Sequence, residues 1–120
     1  MLVEPDSPSP RHFPVTHTGW SEHWGTERYF HGHPFLTAEA AMWLEQAGAA
    51  LVGIDSMNID DTSGGERPVH STLLRAGILI VEHLCNLDQL PDSGFRFYAA
   101  PVKVRGFSSF PVRAFAIVGT

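Results

Sequence analysis

The sequence predicts an α/β fold, because short continuous apolar runs alternate along the chain with stretches of helical period. Ala50–Ile54 and Ile78–Val81 are such runs, and the segments that precede them, around Leu36–Ala47 and Pro68–Arg75, place apolar residues on a helical spacing. With 120 residues, 43% of them apolar, the chain suits one domain with a buried core.

Each element has a local reason. Residues 1–12 are expected to be a disordered lead-in: Pro5, Pro8 and Pro10 remove backbone donors, and the intervening residues are acidic or serine with no apolar repeat. Order is expected over residues 13–120, starting with a short strand at Phe13–Thr18. The aromatic- and histidine-rich stretch from Gly19 to Pro34 has no period and is expected to be a long loop, a feature often tied to function in compact domains. Thr37 is placed to cap a helix that presents Leu36, Ala40, Trp43, Leu44 and Ala47 to a sheet and stops at Gly48. The run Ala50–Ile54, ending at Asp55, has the composition of a strand covered on both faces. A polar turn region spans Asn58–Glu66. Pro68 suits a first helical position, Leu73 and Leu74 supply an apolar face, and Gly77 ends that helix before the strand at Ile78–Val81. Phe95–Val104 and Val112–Val118 are expected to be two closing strands joined through Gly106–Pro111.

Composition excludes several function classes. A formal charge of −5 with only eight Lys and Arg, none in a run, leaves no electrostatic footprint for nucleic acid or an anionic membrane surface. No stretch approaches the ~20 apolar residues of a bilayer span, and the N-terminus lacks a signal-peptide layout. The single cysteine, Cys85, cannot form an internal disulfide, which points to a cytoplasmic setting.

Two residues stand out chemically. In the expected arrangement His70 occupies the first turn of the Pro68 helix, where the positive end of the helix dipole keeps an imidazole neutral, as a metal ligand must be. The same position also suits a capping or surface histidine. Glu82 shares the alternating face of Ile78 and Ile80 at the carboxyl end of a strand, where open α/β sheets place their sites. An inward carboxylate there needs a partner or a metal, whereas a small shift of the strand end would leave it solvated. His70 and Glu82 therefore suggest half of a metal site, with the other half not evident in the chain.

The remaining polar residues have simpler readings. Asp55 is expected to hold turn backbone, and Asp60 and Asp61 to be solvated in their Gly/Ser-rich turn. His31 and His33 are not followed by a third ligand at a diagnostic spacing, leaving a loop role beside a site mouth. Ser56, Ser108 and Ser109 lack a nucleophile elbow, and Cys85 lacks an evident activating base. Trp20, Trp24 and Trp43 are expected to act as core or loop anchors. No catalytic residue is identified.

The runs Leu51-Val52-Gly53-Ile54-Asp55-Ser56, His70 through Leu87, Ala100-Pro101-Val102-Lys103-Val104 and Pro111-Val112-Arg113-Ala114 resemble the cyclase family, which includes bacterial kynurenine formamidase (arylformamidase) and isatin hydrolase. The likeness extends through Thr18-Gly19-Trp20 and His33-Pro34-Phe35-Leu36, and so covers nearly all of the expected ordered chain. It implies a flattened, barrel-like mixed sheet flanked by helices. It implies a metal-dependent hydrolase that opens amide or lactam-like bonds of small molecules with zinc or manganese. In that resemblance His70 binds metal and Glu82 binds or bridges metals. The family's His-x-Gly-Thr-His-x-Asp-x-Pro motif has no counterpart. His23-Trp24-Gly25-Thr26-Glu27 imitates its opening, but Glu27 stands where the second histidine belongs. The chain thus resembles the C-terminal part of a cyclase-family domain. That departure implies a homo-oligomer or a complementing N-terminal chain as partner, or, alternatively, a truncated non-catalytic homologue acting as an oligomerising or interaction module.

Overall fold

A computed structural model describes residues 12–119. Most of the expected disordered lead-in, residues 1–11, lies outside the described residues. His12, at its end, forms a parallel bridge with Ala49, and its carbonyl accepts the Ala50 N–H at 2.9 Å. The described chain divides into two compact units, one comprising residues 12–88 and the other residues 89–119.

The first unit is a parallel three-stranded sheet with two helices. Its strands are β1 (Val15–Thr16), β2 (Leu51–Ile54) and β3 (Leu79–Val81), in the order β1-β2-β3. Val15 pairs with Gly53, and Val52 with Ile80. Parallel neighbours require crossovers, and these contain helices α1 (Ala38–Gln46) and α2 (Pro68–Arg75). Two right-handed crossovers stepping the same way across a sheet put both helices on one face, and α1 packs against α2.

Helix α1 begins as its sequence dictates: the Thr37 hydroxyl accepts the Ala40 N–H at 3.1 Å, satisfying a first-turn donor. Helix α2 opens with Pro68, whose missing N–H costs nothing at that position, and ends at Gly77, whose φ of 76° suits glycine. The core between helices and sheet comprises Ala41 and Leu44 of α1, Val69 and Leu73 of α2, Val52 and Ile54 of β2, and Ile59 and Ile78. The opposite face of β2 is closed by Leu84. A Cβ on Gly53 would stand 2.8 Å from Leu84 Cδ1, so the glycine is what lets that side chain lie across the strand.

Three expectations are corrected in this unit. The strand expected at Phe13–Thr18 shortens to Val15–Thr16. The loop from Gly19 to Pro34 contains two 3-10 turns, Trp20–His23 and Glu27–Phe30. The buried face of α1 is centred on Ala41 and Leu44, whereas Trp43 is 65% exposed and Ala47 is also exposed. Apolar residues occupy most sides of this short helix, so its periodicity leaves the phase open and packing against α2 selects it.

The second unit is an antiparallel hairpin of β4 (Arg96–Pro101) and β5 (Val112–Ile117), in which Tyr98 pairs with Phe115. Their rings stack with centroids 4.9 Å apart. Both strands are shorter than expected. Among the described residues the strands form two separate sheets, one parallel and one antiparallel, in place of a single mixed sheet, and no closed barrel. After β3 the chain leaves the extended conformation at His83 and Asn86, which have φ values of 62° and 60°. No described helix is long and apolar enough to cross a membrane.

Candidate functional site

The segments following β2 and β3 emerge from the same, carboxyl-terminal edge of the parallel sheet, the edge where such sheets gather functional groups. Beyond β2 the chain runs through buried Asp55 and Ser56 to Ile59 and Asp60 before α2 begins. The Asp60 side chain is 1% exposed. Its Oδ1 accepts the Val69 N–H and its Oδ2 the His70 N–H, each at 2.8 Å. These are free first-turn donors of α2, at the helix end that favours an anion. Asp60 Oδ2 also lies 2.8 Å from His70 Nδ1.

The other ring nitrogen of His70 points toward β3. His70 Nε2 and Glu82 Oε2 are 3.6 Å apart, with the two side chains 28% and 21% exposed. Glu82 Oε2 is held in turn by the Ile59 N–H at 2.7 Å. The structure therefore brings together the two residues singled out in the sequence. Two ligands bonded at about 2.0–2.2 Å to one tetrahedral cation lie roughly 3.4 Å apart, so this pair has the spacing and chemistry of two ligands on a shared divalent ion. Among the described residues no third His, Cys, Asp or Glu completes a metal-holding group with them.

Other groups lie around the same sheet edge. Asp55 accepts the Thr18 N–H and hydroxyl, both at 2.7 Å, and the Gly19 N–H at 2.9 Å. It holds backbone, as expected, though the turn it holds precedes β2 in the chain. The Tyr29 hydroxyl is 2.8 Å from His83 Nδ1. Burial pushes the Tyr29 phenol up to about 12, with the negative charges of Asp55, Glu82 and Cys85 adding to the effect. His33 is buried with Nε2 2.9 Å from the Asp60 carbonyl, whereas His31 is exposed beside Glu27. Asp61 is exposed, and the Ser63 N–H donating to it holds its carboxyl below the usual range. The His23–Glu27 stretch forms a turn, with the Thr26 hydroxyl donating to the His23 carbonyl at 2.6 Å. Trp20 acts as a loop anchor through its indole N–H on the Tyr29 carbonyl, while Trp24 is 66% exposed. Ser56 donates to the Pro34 carbonyl, and Cys85 is exposed and free.

The Cyclase family profile matches residues 5–61. Kynurenine formamidase of Bacillus cereus is 31% identical over 94 residues, an alignment covering 78% of this chain and 44% of that protein. An isatin hydrolase solved with the product analogue thioisatinate superposes with a TM-score of 0.78 at 28% identity, over 88% of this chain and 45% of that one. A solved structure described as a potential metal-dependent hydrolase with cyclase activity gives a TM-score of 0.59 at 35% identity, over 67% of this chain and 39% of that one. Over part of the length of these proteins, the chain is similar to the cyclase family.

The chain spans less than half the length of these relatives. The profile match includes Asp55 and Asp60, while His70 and Glu82 lie beyond it. Sequence reasoning placed Asp60 in solvent, and the structure buries it. Nothing local marked the difference, because its partners are nine and ten residues further along and are reached only when the loop folds back. The Tyr29–His83 contact was also missed. Its members are 54 residues apart, and its one local trace is the position of His83 directly after Glu82.

Proposed function

We propose that this chain carries part of the site of a metal-dependent amide hydrolase of the arylformamidase type, with His70 Nε2 and Glu82 Oε2 as two ligands of one divalent cation. The supporting observation is the 3.6 Å approach of two ligand-type atoms from different elements, each held from behind by hydrogen bonds. Zinc or manganese bound there would supply Lewis acidity to activate water and polarise a carbonyl. The names of the relatives point to a formamide or a lactam, so a small-molecule amide is the substrate class proposed here. This chain's residues orient the ligand pair, and none of them is assigned proton transfer.

Further ligands are proposed to come from outside the described residues, through a second copy or a complementing chain that also extends the sheet toward a flattened barrel. The lone exposed Cys85 supports a cytoplasmic setting. A second reading, a non-catalytic interaction module, is favoured by one observation: among the described residues the donor set stops at two.

The test is zinc and manganese content and affinity of the purified chain beside His70→Ala and Glu82→Ala, with formamide hydrolysis assayed on the same samples. Metal lost in both variants supports the ligand pair. Metal retained equally in both removes it. Metal binding without turnover favours the second reading.

A further inference from the structure

We propose that Asp60 is a positioning residue, fixing the rotamer and tautomer of His70 so that a bare Nε2 faces Glu82; the inference rests on the ligand role given to that pair above. An ordinary helix cap spends one side-chain oxygen on one backbone donor. Asp60 does more, for its Oδ1 takes the Val69 N–H while its Oδ2 takes both the backbone N–H and the ring Nδ1 of His70. Holding one residue by main chain and ring through the same oxygen leaves the imidazole little freedom about either side-chain torsion. An ionised carboxylate only accepts, so in the neutral ring this contact requires the proton on Nδ1 and leaves the lone pair on Nε2.

Asp60 is itself immobilised. Its N–H donates to Asn58 Oδ1 at 2.8 Å, and its carbonyl lies 2.9 Å from His33 Nε2. The preceding residue completes the arrangement. Ile59 has its side chain in the core, its carbonyl accepts the Leu36 N–H at 2.9 Å, and its own N–H holds Glu82 Oε2 at 2.7 Å. One dipeptide thus grips both halves of the pair, and their spacing is set before any ion arrives. Preorganisation of this kind lowers the cost of binding, and removal of such a partner typically weakens metal affinity about 10–100-fold.

The experiment combines nitrogen-15 NMR of the histidine rings in the metal-free full chain, at a pH where the ring is neutral, with zinc titration. His70→Ala assigns the His70 signals. Wild type is expected to show a protonated Nδ1 and a bare Nε2. Asp60→Ala removes the acceptor of the Nδ1 proton, whereas an asparagine could keep its oxygen on the two His70 donors and turn its amide toward the Val69 N–H. The expected result for Asp60→Ala is loss of the preference for the Nδ1–H tautomer, with zinc affinity lower by about 10–100-fold. A wild-type ring protonated at Nε2 overturns the proposal without recourse to any variant. It is equally overturned if Asp60→Ala leaves tautomer and zinc affinity unchanged while His70→Ala abolishes binding; the ligand role of His70 then stands. If His70→Ala binds zinc as wild type does, the ligand reading fails, and the tautomer signals alone decide whether Asp60 sets the ring.

Discussion

Replacing Asp55 by alanine should cost the chain a large part of its stability, because a single buried carboxylate ties the segment after β1 to the end of β2. The side chain is 1% exposed and accepts the Thr18 N–H, the Thr18 hydroxyl and the Gly19 N–H. Hydrogen bonds to a charged group contribute about 1.5–3 kcal/mol each. The full sum would overshoot, since the three share one acceptor group and part-buried Thr18 and Gly19 regain some water once it is gone. The expected loss for Asp55→Ala is therefore about 3–5 kcal/mol, out of the roughly 5–15 kcal/mol typical of a native domain. Asp55→Asn separates the contributions. Its remaining oxygen can serve both Thr18 donors, which share Oδ1, while the amide nitrogen faces the Gly19 N–H. Its expected loss is about 1.5–3 kcal/mol. Urea unfolding of the full chain, extrapolated to water with the slope compared between variants, measures both. A loss below about 1 kcal/mol for alanine, or an asparagine variant as damaged as the alanine one, would refute this account of the carboxylate.

Leu73→Ala should destabilise the chain by about 2–5 kcal/mol, because Leu73 is fully buried where α2 meets α1 and the sheet; a loss under 1 kcal/mol in the same urea assay would mean that this core is loosely packed or collapses freely. Thr37→Ala removes the hydroxyl that accepts the Ala40 N–H and should cost about 1 kcal/mol, while Thr37→Ser, checked by thermal unfolding, should retain most of it. Burial pushes the Tyr29 phenol up to about 12 in the folded chain, above the ordinary tyrosine value of about 10. The folded state keeps the proton that the unfolded state gives up first, so the stabilisation is intact below about pH 10 and is lost as pH rises toward about 12. Urea midpoints across that range should fall, and Tyr29→Phe should remove this part of the decline; an unchanged slope in the variant would assign the decline to other groups.

Elements governed by residues a few positions apart were visible in the sequence. Thr37 and its partner Ala40, Pro68 at the start of α2 and Gly77 at its end act within one turn of helix. The continuous run in β2 announced a strand buried on both faces, and all four of its residues are buried. The first-turn place of His70 and the strand-end place of Glu82 followed from the same short-range signals, and both residues could be picked out as candidates. Only the tertiary structure decided which groups surround them. Asp60 leaves solvent to hold His70, Ile59 offers its N–H to Glu82, Asp55 reaches back to Thr18, and Tyr29 meets His83. It also chose the buried side of α1, a helix apolar on too many sides for periodicity to decide, and it divided the strands between two sheets. A cap, a turn or a strand period is settled by neighbours along the chain. Whether a carboxylate is solvated or buried, and which ring it faces, depends on donors delivered by remote segments, and these become neighbours only when the sheet and helices have packed.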